Sequence, residues 1–373
     1  MNTQTLFWQM TIFLALPAAL TSFLLCRLMR SLAPKLNYVD KPAGRKNHAA
    51  PMPYGGGIGI FISLTLILLA GALLAYHGKL DALKSLHWTA VHQPGVASKL
   101  HQFAGILFGG LILATLGLFD DLKNLGPWTK LIFECAVAAM VVVGFDVRLY
   151  LFVESPWFGW IVSIFWIVII TNAFNFLDNA DGLSAGVALI CAAVLLATTV
   201  AGKQIFVSAY LACLAGALAG FLIHNFPPAK LFMGDAGSLA IGYFLAIGAI
   251  LTTFYNEANP QTNKLAVLIP IIVMAIPLYD FFSVIALRKL AGESPFKGDH
   301  RHFSHRLMRR GLSPRQTVLT IYLASGATAV GAILMRYVGT GPAILIFLQT
   351  LCIVAIIGIL EYTPSKNENT RIA

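Results

Sequence analysis

Eleven stretches of this chain are apolar over about twenty residues each, at 5–27, 56–76, 103–119, 130–147, 157–176, 183–201, 204–223, 238–256, 264–287, 316–336 and 341–361. About twenty such residues in a helix cross the roughly 30 Å hydrocarbon core of a bilayer. Lipid offers no partner to backbone N–H and C=O groups, so each run has to satisfy them within its own helix. The chain is therefore expected to be all-α, a multi-span membrane bundle of about eleven helices. Ten or twelve would also fit, because the runs around 176–204 lie close together. Composition agrees: 58% of residues are apolar and 11% charged, against about 45–50% and 25% in soluble domains, and disorder is excluded. The five cysteines all fall inside apolar runs, without the spacing of a zinc site or bridge.

The net charge of +10 gathers in two segments. After the first run come Arg27, Arg30, Lys35, Lys41, Arg45 and Lys46. After the ninth come Arg288, Lys289, Lys297, Arg301, Arg306, Arg309, Arg310 and Arg315. Both are odd-numbered connections and share one side, which the distribution of Lys and Arg makes cytoplasmic. The N-terminus is then outside and the C-terminus cytoplasmic. The first run is not expected to be a cleaved signal: no basic residue precedes it and positive charge follows it. Charge placed this way sets topology, could also face a phosphate-rich substrate, and calls for no nucleic-acid partner.

The acids are the sharper signal. Of ten aspartates, Asp120, Asp121, Asp178, Asp181 and Asp235 fall at the same face, in three separate connections. Ionisable groups beside hydrocarbon are costly and mark functional sites. Acidic turns facing a basic loop suit a metal-and-phosphate site, since Asp ligates Mg²⁺ while Arg and Lys hold phosphoryl oxygens. In GLFDDLKNLGPWTK (117–130), Asp120 and Asp121 are neighbours that raise each other's proton affinity unless a cation is near, and Lys130 can point back to them. In TNAFNFLDNADGLSAG (171–186), Asn172, Asn175, Asp178 and Asp181 recur every third residue, and the chain is expected to unwind over 178–182. In HNFPPAKLFMGDAGSLAIG (224–242), Gly234 and Gly237 allow tight backbone around Asp235, and a helix N-terminus there could offer N–H groups to phosphate. Asn225 and Phe232 could hold a nucleobase, one by hydrogen bonds and one by stacking. In SPFKGDHRHFSHRLMRRGLSP (294–314), His302, His305, Arg306 and Arg309 follow the spacing of one helix face. That pattern suits phosphate recognition, or a basic helix resting on anionic lipid.

Taken in order, DKPAGRKNHAAPMPYGGG (40–57), FDDLKN, NAFNFLDNADGL, FMGDAGS and HRHFSHRL resemble the polyprenyl-phosphate N-acetylhexosamine-1-phosphate transferases, the superfamily that includes the phospho-MurNAc-pentapeptide translocase. The likeness runs from Asp40 to Arg310, and the span count resembles the N-acetylglucosamine-1-phosphate branch. It implies transfer of a sugar-1-phosphate, with GlcNAc-1-phosphate expected, from a UDP-N-acetylhexosamine to undecaprenyl or another polyprenyl phosphate. UMP is released, at the cytoplasmic face of the plasma (inner) membrane, in the first membrane step of an envelope glycan. Mg²⁺ is the implied cofactor, with Mn²⁺ able to substitute. A homodimer follows by family analogy.

By motif position the resemblance makes Asp235 and Asn175 metal ligands. It gives Asp120, Asp121, Lys130, Asp178, Asp181, His302 and His305 catalytic roles, the Asp pair acting as base or as nucleophile. It assigns Arg45, Lys46, His48, Asn172, Asn225, Phe232, Arg301 and Arg306 to substrate binding, and Asp280 and Arg288 to structural support. The expected organisation is one membrane-embedded domain over 1–373. Connections 28–55, 120–129, 177–182, 224–237 and 288–315 would form the site, and 362–373 a tail. Two departures stand out: Asn179 where the family often has Gly, and Ser304 where it commonly has His. The alternative class is a transporter or flippase of lipid-linked or anionic substrates. That class places ionisable groups near the bilayer midplane, often in repeated halves, and neither feature is visible here. A dead scaffold would not need the acids, amides and histidines kept together.

Overall fold

The computed structural model describes residues 3–41, 51–77, 88–150, 152–153, 155–255, 263–295 and 301–362. Among these residues thirteen α-helices run α1 Thr3–Leu32, α2 Gly56–His77, α3 Trp88–Lys123, α4 Pro127–Ala139, α5 Pro156–Leu177, α6 Leu183–Ala201, α7 Ile205–Asn225, α8 Asp235–Leu251, α9 Ile269–Val273, α10 Ala275–Leu290, α11 Phe303–Arg309, α12 Pro314–Met335 and α13 Thr340–Tyr362. A π-helical turn, Met140–Gly144, extends α4, and a 3-10 turn, Lys264–Leu268, leads into α9. Among the described residues nine helices are long and apolar enough to cross a membrane. A tenth span arises if Lys264–Val273 and Ala275–Leu290 are one element bent by 64°. Each of the eleven apolar runs contains helix, and α8 is a shorter one of 17 residues.

Start signals are local. Pro127, Pro156 and Pro314 open α4, α5 and α12, where a missing N–H costs nothing and the fixed φ already suits a helix. Ser313 and Gln316 close a reciprocal capping box on α12. The helices α1 and α7 meet through Gly216 and Gly220, four residues apart. A Cβ on either would come within 2.2 Å of the Ala15 or Ala19 carbonyl oxygen. Small residues at this spacing let membrane helices approach to van der Waals contact, which is what holds them together once lipid removes the hydrophobic drive. Leucines on the outer faces, such as Leu16, Leu20 and Leu323, are correspondingly exposed.

At the centre lies α8. Every residue from Ala236 to Ile250 is buried, and the helix packs against α2, α3, α5 and α6. Its N-terminus therefore opens where α3 ends, where α5 turns into α6 and where the hairpin before α2 closes. That hairpin is a two-residue antiparallel ladder, β1 (Val39–Asp40) with β2 (Met52–Pro53), pairing Val39 with Pro53 and Asp40 with Met52.

Candidate active site

A cleft of about 560 Å³ lies at this junction. It is lined by Asp40, Met52, Tyr54, Asp121, Asp178, Asn179, Ala180, Asp181, Asn225, Pro228, Ala229, Phe232, Met233, Gly234, Asp235, His305, Met308, Pro314 and Val318. Five carboxylates from four separate segments share one wall system. The hairpin supplies Asp40, α3 supplies Asp121, the α5–α6 turn supplies Asp178 and Asp181, and α8 supplies Asp235.

Close helix packing brings the first of these together. Gly117, one turn before the Asp pair, lies so near the start of α8 that a Cβ there would come within 2.3 Å of the Asp235 carbonyl. Gly234 has φ +76°, and a side chain on it would run into the Asp121 carboxylate at 2.5 Å. The Asp121 carboxylate then fills the N-terminus of α8. Its Oδ1 accepts from the Asp235 N–H at 2.8 Å, and its Oδ2 accepts from the Ala236 N–H at 3.4 Å and from the Tyr38 hydroxyl at 2.6 Å. Burial first, and then the neighbouring Asp121, raises the Tyr38 phenol above its ordinary value, so it stays a donor. The N–H groups that the sequence reading offered to phosphate are thus occupied from within the protein. Asp121 caps the helix.

Lys130 does point back. Its Nζ donates to Asp120 Oδ2 at 2.8 Å and to Asp235 Oδ2 at 2.9 Å, and Asp120 Oδ1 accepts from the Leu125 N–H at 2.6 Å. One cation thereby joins α3, α4 and α8. Its three side chains are 11–29% exposed, partly shielded from screening water.

The chain leaves α5 at Asp178 and re-enters helix at Leu183, which is the expected unwinding. Burial, then the carboxylates of Asp235, Asp121 and Asp181, push the Asp178 carboxyl well above its usual range. Asp181 Oδ2 accepts from the Ala229 N–H at 2.9 Å. Asn225 is buried with both ends of its amide engaged, Oδ1 by the Gly182 N–H and Nδ2 by the Leu231 carbonyl, each at 2.9 Å. It acts as a strut between two loops and also lines the cleft. Phe232 lines the cleft as expected, with its ring 6.3 Å from Tyr54, which is in turn 5.3 Å from Tyr38.

The basic segment departs most from the sequence reading. His302 is the extended residue before α11, and not part of it, so the single four-residue face is not formed. It is 7% exposed, with Nδ1 3.0 Å from Asp280 Oδ2, while Asp280 Oδ1 accepts from the Phe303 N–H at 2.6 Å. Arg306 turns inward to Glu361 of α13 at 2.8 Å and donates to the Arg301 carbonyl and Ser283 Oγ. Arg301 pairs with Glu293 at 3.1 Å. Burying Arg306 beside a carboxylate is what a guanidinium this enclosed requires, and neither arginine is among the cleft's lining residues. His305 is. Asn172 also lies off the cleft, bonded to the buried Glu134 of α4 and to the Val168 carbonyl. Arg45, Lys46 and His48 lie outside the described residues.

Sequence reasoning missed Tyr38, Tyr54 and Glu134. The two tyrosines flank the basic stretch symmetrically, and a hairpin register was the signal that could have found them. The two departures from the family pattern, Asn179 and Ser304, turn out to be hydrogen-bonded to each other.

Among the described residues no three His, Cys, Asp or Glu side chains converge as a closed cation cage. Mg²⁺ takes one or two protein carboxylates and keeps water or phosphate oxygens for the rest. The carboxylates on this wall are hard oxygen donors that fit that habit, and Asn175, which is not among the lining residues, reaches the first turn of α8. Asp235 opens α8, and Asn175 gives its amide nitrogen to Ser238 Oγ at 2.9 Å, so its oxygen is the end a cation would take.

Residues 103–253 match the glycosyl transferase family 4 profile. The chain is 30% identical over 325 residues to the probable undecaprenyl-phosphate N-acetylglucosaminyl 1-phosphate transferase of Bacillus subtilis, covering 85% of this chain and 82% of the relative. It is 33% identical over 341 residues to the decaprenyl-phosphate N-acetylglucosaminephosphotransferase of Mycolicibacterium smegmatis, covering 85% and 80%. Against the undecaprenyl-phosphate alpha-N-acetylglucosaminyl 1-phosphate transferase of Escherichia coli K12 the identity is 29% over 323 residues, covering 83% and 79%.

Proposed function

Since this chain belongs to glycosyl transferase family 4, among the polyprenyl-phosphate N-acetylglucosamine-1-phosphate transferases, we propose that it moves GlcNAc-1-phosphate from UDP-GlcNAc to a polyprenyl phosphate and releases UMP. The observation that carries this reading is the cleft itself, with five carboxylates on its walls and Lys130 held between Asp120 and Asp235. In the same reading the protein has eleven spans, counting α8 and the bent 264–290 element. Its N-terminus is outside, the cleft is at the cytoplasmic face of the plasma membrane, and two copies pair as a homodimer.

The chemistry is displacement at the β-phosphorus. A lipid-phosphate oxygen bonds to that phosphorus, the bond to the bridging oxygen breaks, and the bridging oxygen leaves with UMP. Two anions must meet, so their repulsion has to be offset by groups already in place. Lys130 brings a fixed positive charge to the junction of α3, α4 and α8. Asp235 and Asn175 would hold a divalent cation, which when bound neutralises diphosphate charge. Both oxygens of Asp121 serve the α8 amides and Tyr38, which favours a positioning role over attack. Asp120 is similarly held by Lys130 and the Leu125 N–H. Direct transfer without a covalent phospho-enzyme is the reading these bonds support.

The test is UMP release by purified protein given polyprenyl phosphate and a panel of UDP-sugars, with Mg²⁺ and after chelation. Release with UDP-GlcNAc and its loss on chelation are expected. No release from any UDP-sugar would overturn the function, and full turnover by Asp235→Ala would overturn the site.

A further inference from the structure

The acidic α5–α6 turn and the basic helix α11 are separated by more than 120 residues, yet one side-chain bond joins them. Ser304 Oγ donates to Asn179 Oδ1. Both partners are held in register from their own sides. Asn179 Nδ2 donates to the Phe176 carbonyl at 2.6 Å, which fixes the amide so that its oxygen faces α11. Ser304 is 1% exposed, on the first turn of a helix whose start is gripped by Asp280. The turn itself is immobilised by Asn225 on the Gly182 N–H, by Tyr322 on the Gly182 carbonyl, and by Asp181 on Ala229.

Ser304 is followed at once by His305, the α11 histidine that lines the cleft. A seven-residue helix is too short to hold its own geometry and depends on tertiary ties. Ser304, the residue before His305, carries the bond to Asn179, and Arg306, the residue after it, is tied to Glu361 and Ser283.

We propose that Asn179 and Ser304 are a positioning pair, a latch that seats α11 on the acidic turn and thereby fixes His305 in the cleft that Asp178 and Asp181 also line. Neither residue takes part in bond making. The role of the seated histidine rests on the transferase reading above, while the latch itself does not.

The variants are Ser304→Ala, Asn179→Ala and the double change. Ser304→Ala deletes one oxygen and improves helix propensity, so the fold is retained. Two readouts are taken on the full-length protein in detergent. The first is amide hydrogen exchange without substrate, which is independent of activity. Exchange in 303–309 and 178–182 is expected to rise five- to tenfold, about the worth of one neutral hydrogen bond, with α1 and α7 unchanged. Unchanged exchange in 303–309 overturns the latch. The second is steady-state kinetics. KM for the UDP-sugar is expected to rise about tenfold in each single variant and no further in the double, with KM for polyprenyl phosphate unmoved. A general structural defect would lower the active fraction and move neither KM. Unchanged constants, or a double variant as weak as the product of the singles, overturn the positioning role. If wild-type protein releases no UMP from any UDP-sugar, the transferase reading falls, and hydrogen exchange still decides the latch.

Discussion

Adding one methyl group at Gly117 should cripple the site without touching an ionisable residue. A Cβ there would lie 2.3 Å from both the carbonyl carbon and oxygen of Asp235 and 2.4 Å from the Ala236 nitrogen. Ordinary contact begins near 3.4 Å, so α3 and α8 must part by about 1.1 Å. Backbone cannot swing aside as a side chain does, and overpacking of this kind costs roughly 1–3 kcal/mol. The same displacement acts on the bond from the Asp235 N–H to Asp121 Oδ1. At 2.8 Å now, it would stretch well beyond hydrogen-bond length. A misplacement of about 1 Å in a reacting geometry can lower turnover about 10²-fold. For Gly117→Ala we therefore expect a lower unfolding temperature in detergent and UMP release down about a hundredfold. Gly326→Ala serves as the control. That position lies within α12 with nothing inside 4 Å of an added Cβ, so the change should be neutral or slightly stabilising. Wild-type stability and turnover in Gly117→Ala would refute the argument that α3 and α8 are in backbone contact at the site.

Three further outcomes follow from the buried charges, two of them from ion pairs. Lys130→Met removes the cation between Asp120 and Asp235 and should lower UMP release about 10²-fold or more, by analogy with the loss of one preorganised donor; a variant within threefold of wild type would remove Lys130 from the mechanism. Asp178→Asn should raise the unfolding temperature measured without divalent cation at pH 8, with the gain shrinking as pH is lowered toward 4. The sign follows from a carboxyl raised above its ordinary value of 3.8: its charge costs the fold nothing below that value and most above the folded one. A gain that persisted unchanged into acid would sink the assignment. Breaking the buried Arg306–Glu361 pair, whose side chains are 7% and 1% exposed, should cost about 3–5 kcal/mol in Arg306→Met, and most of it should return in Arg306→Met/Glu361→Leu. If the double variant is as unstable as the single, Arg306 is not the structural anchor described.

The helices were legible because lipid forces a simple rule on them, and each of the eleven apolar runs contains helix. The unwinding at 178–182 was legible too, since Asp178, Asp181 and Gly182 cannot continue a buried helix. What eluded the sequence were bonds made over long distances in the chain. Nothing near Asp121 announces that it caps a helix beginning 114 residues later. The spacing of His302, His305, Arg306 and Arg309 suggested one helix face because periodicity assumes a helix throughout. Asp280 instead holds His302 outside it, and Glu361 draws Arg306 inward. Asn179 and Ser304 stood out as departures from a pattern, but it takes the folded chain to bring them into contact.

The cap on α8 bears on how such a protein can be made. The helix is buried on all sides, and its first two amides are satisfied by a residue of α3. Until that carboxylate is in place, the first amides of α8 have no protein partner and must be held by water at the cleft. Synthesis from the N-terminus delivers the cap first and the helix it closes afterwards. A circular permutant that translated α8 before α3 would contain every contact of the finished molecule, yet would have to insert its central helix before the group that stabilises it existed.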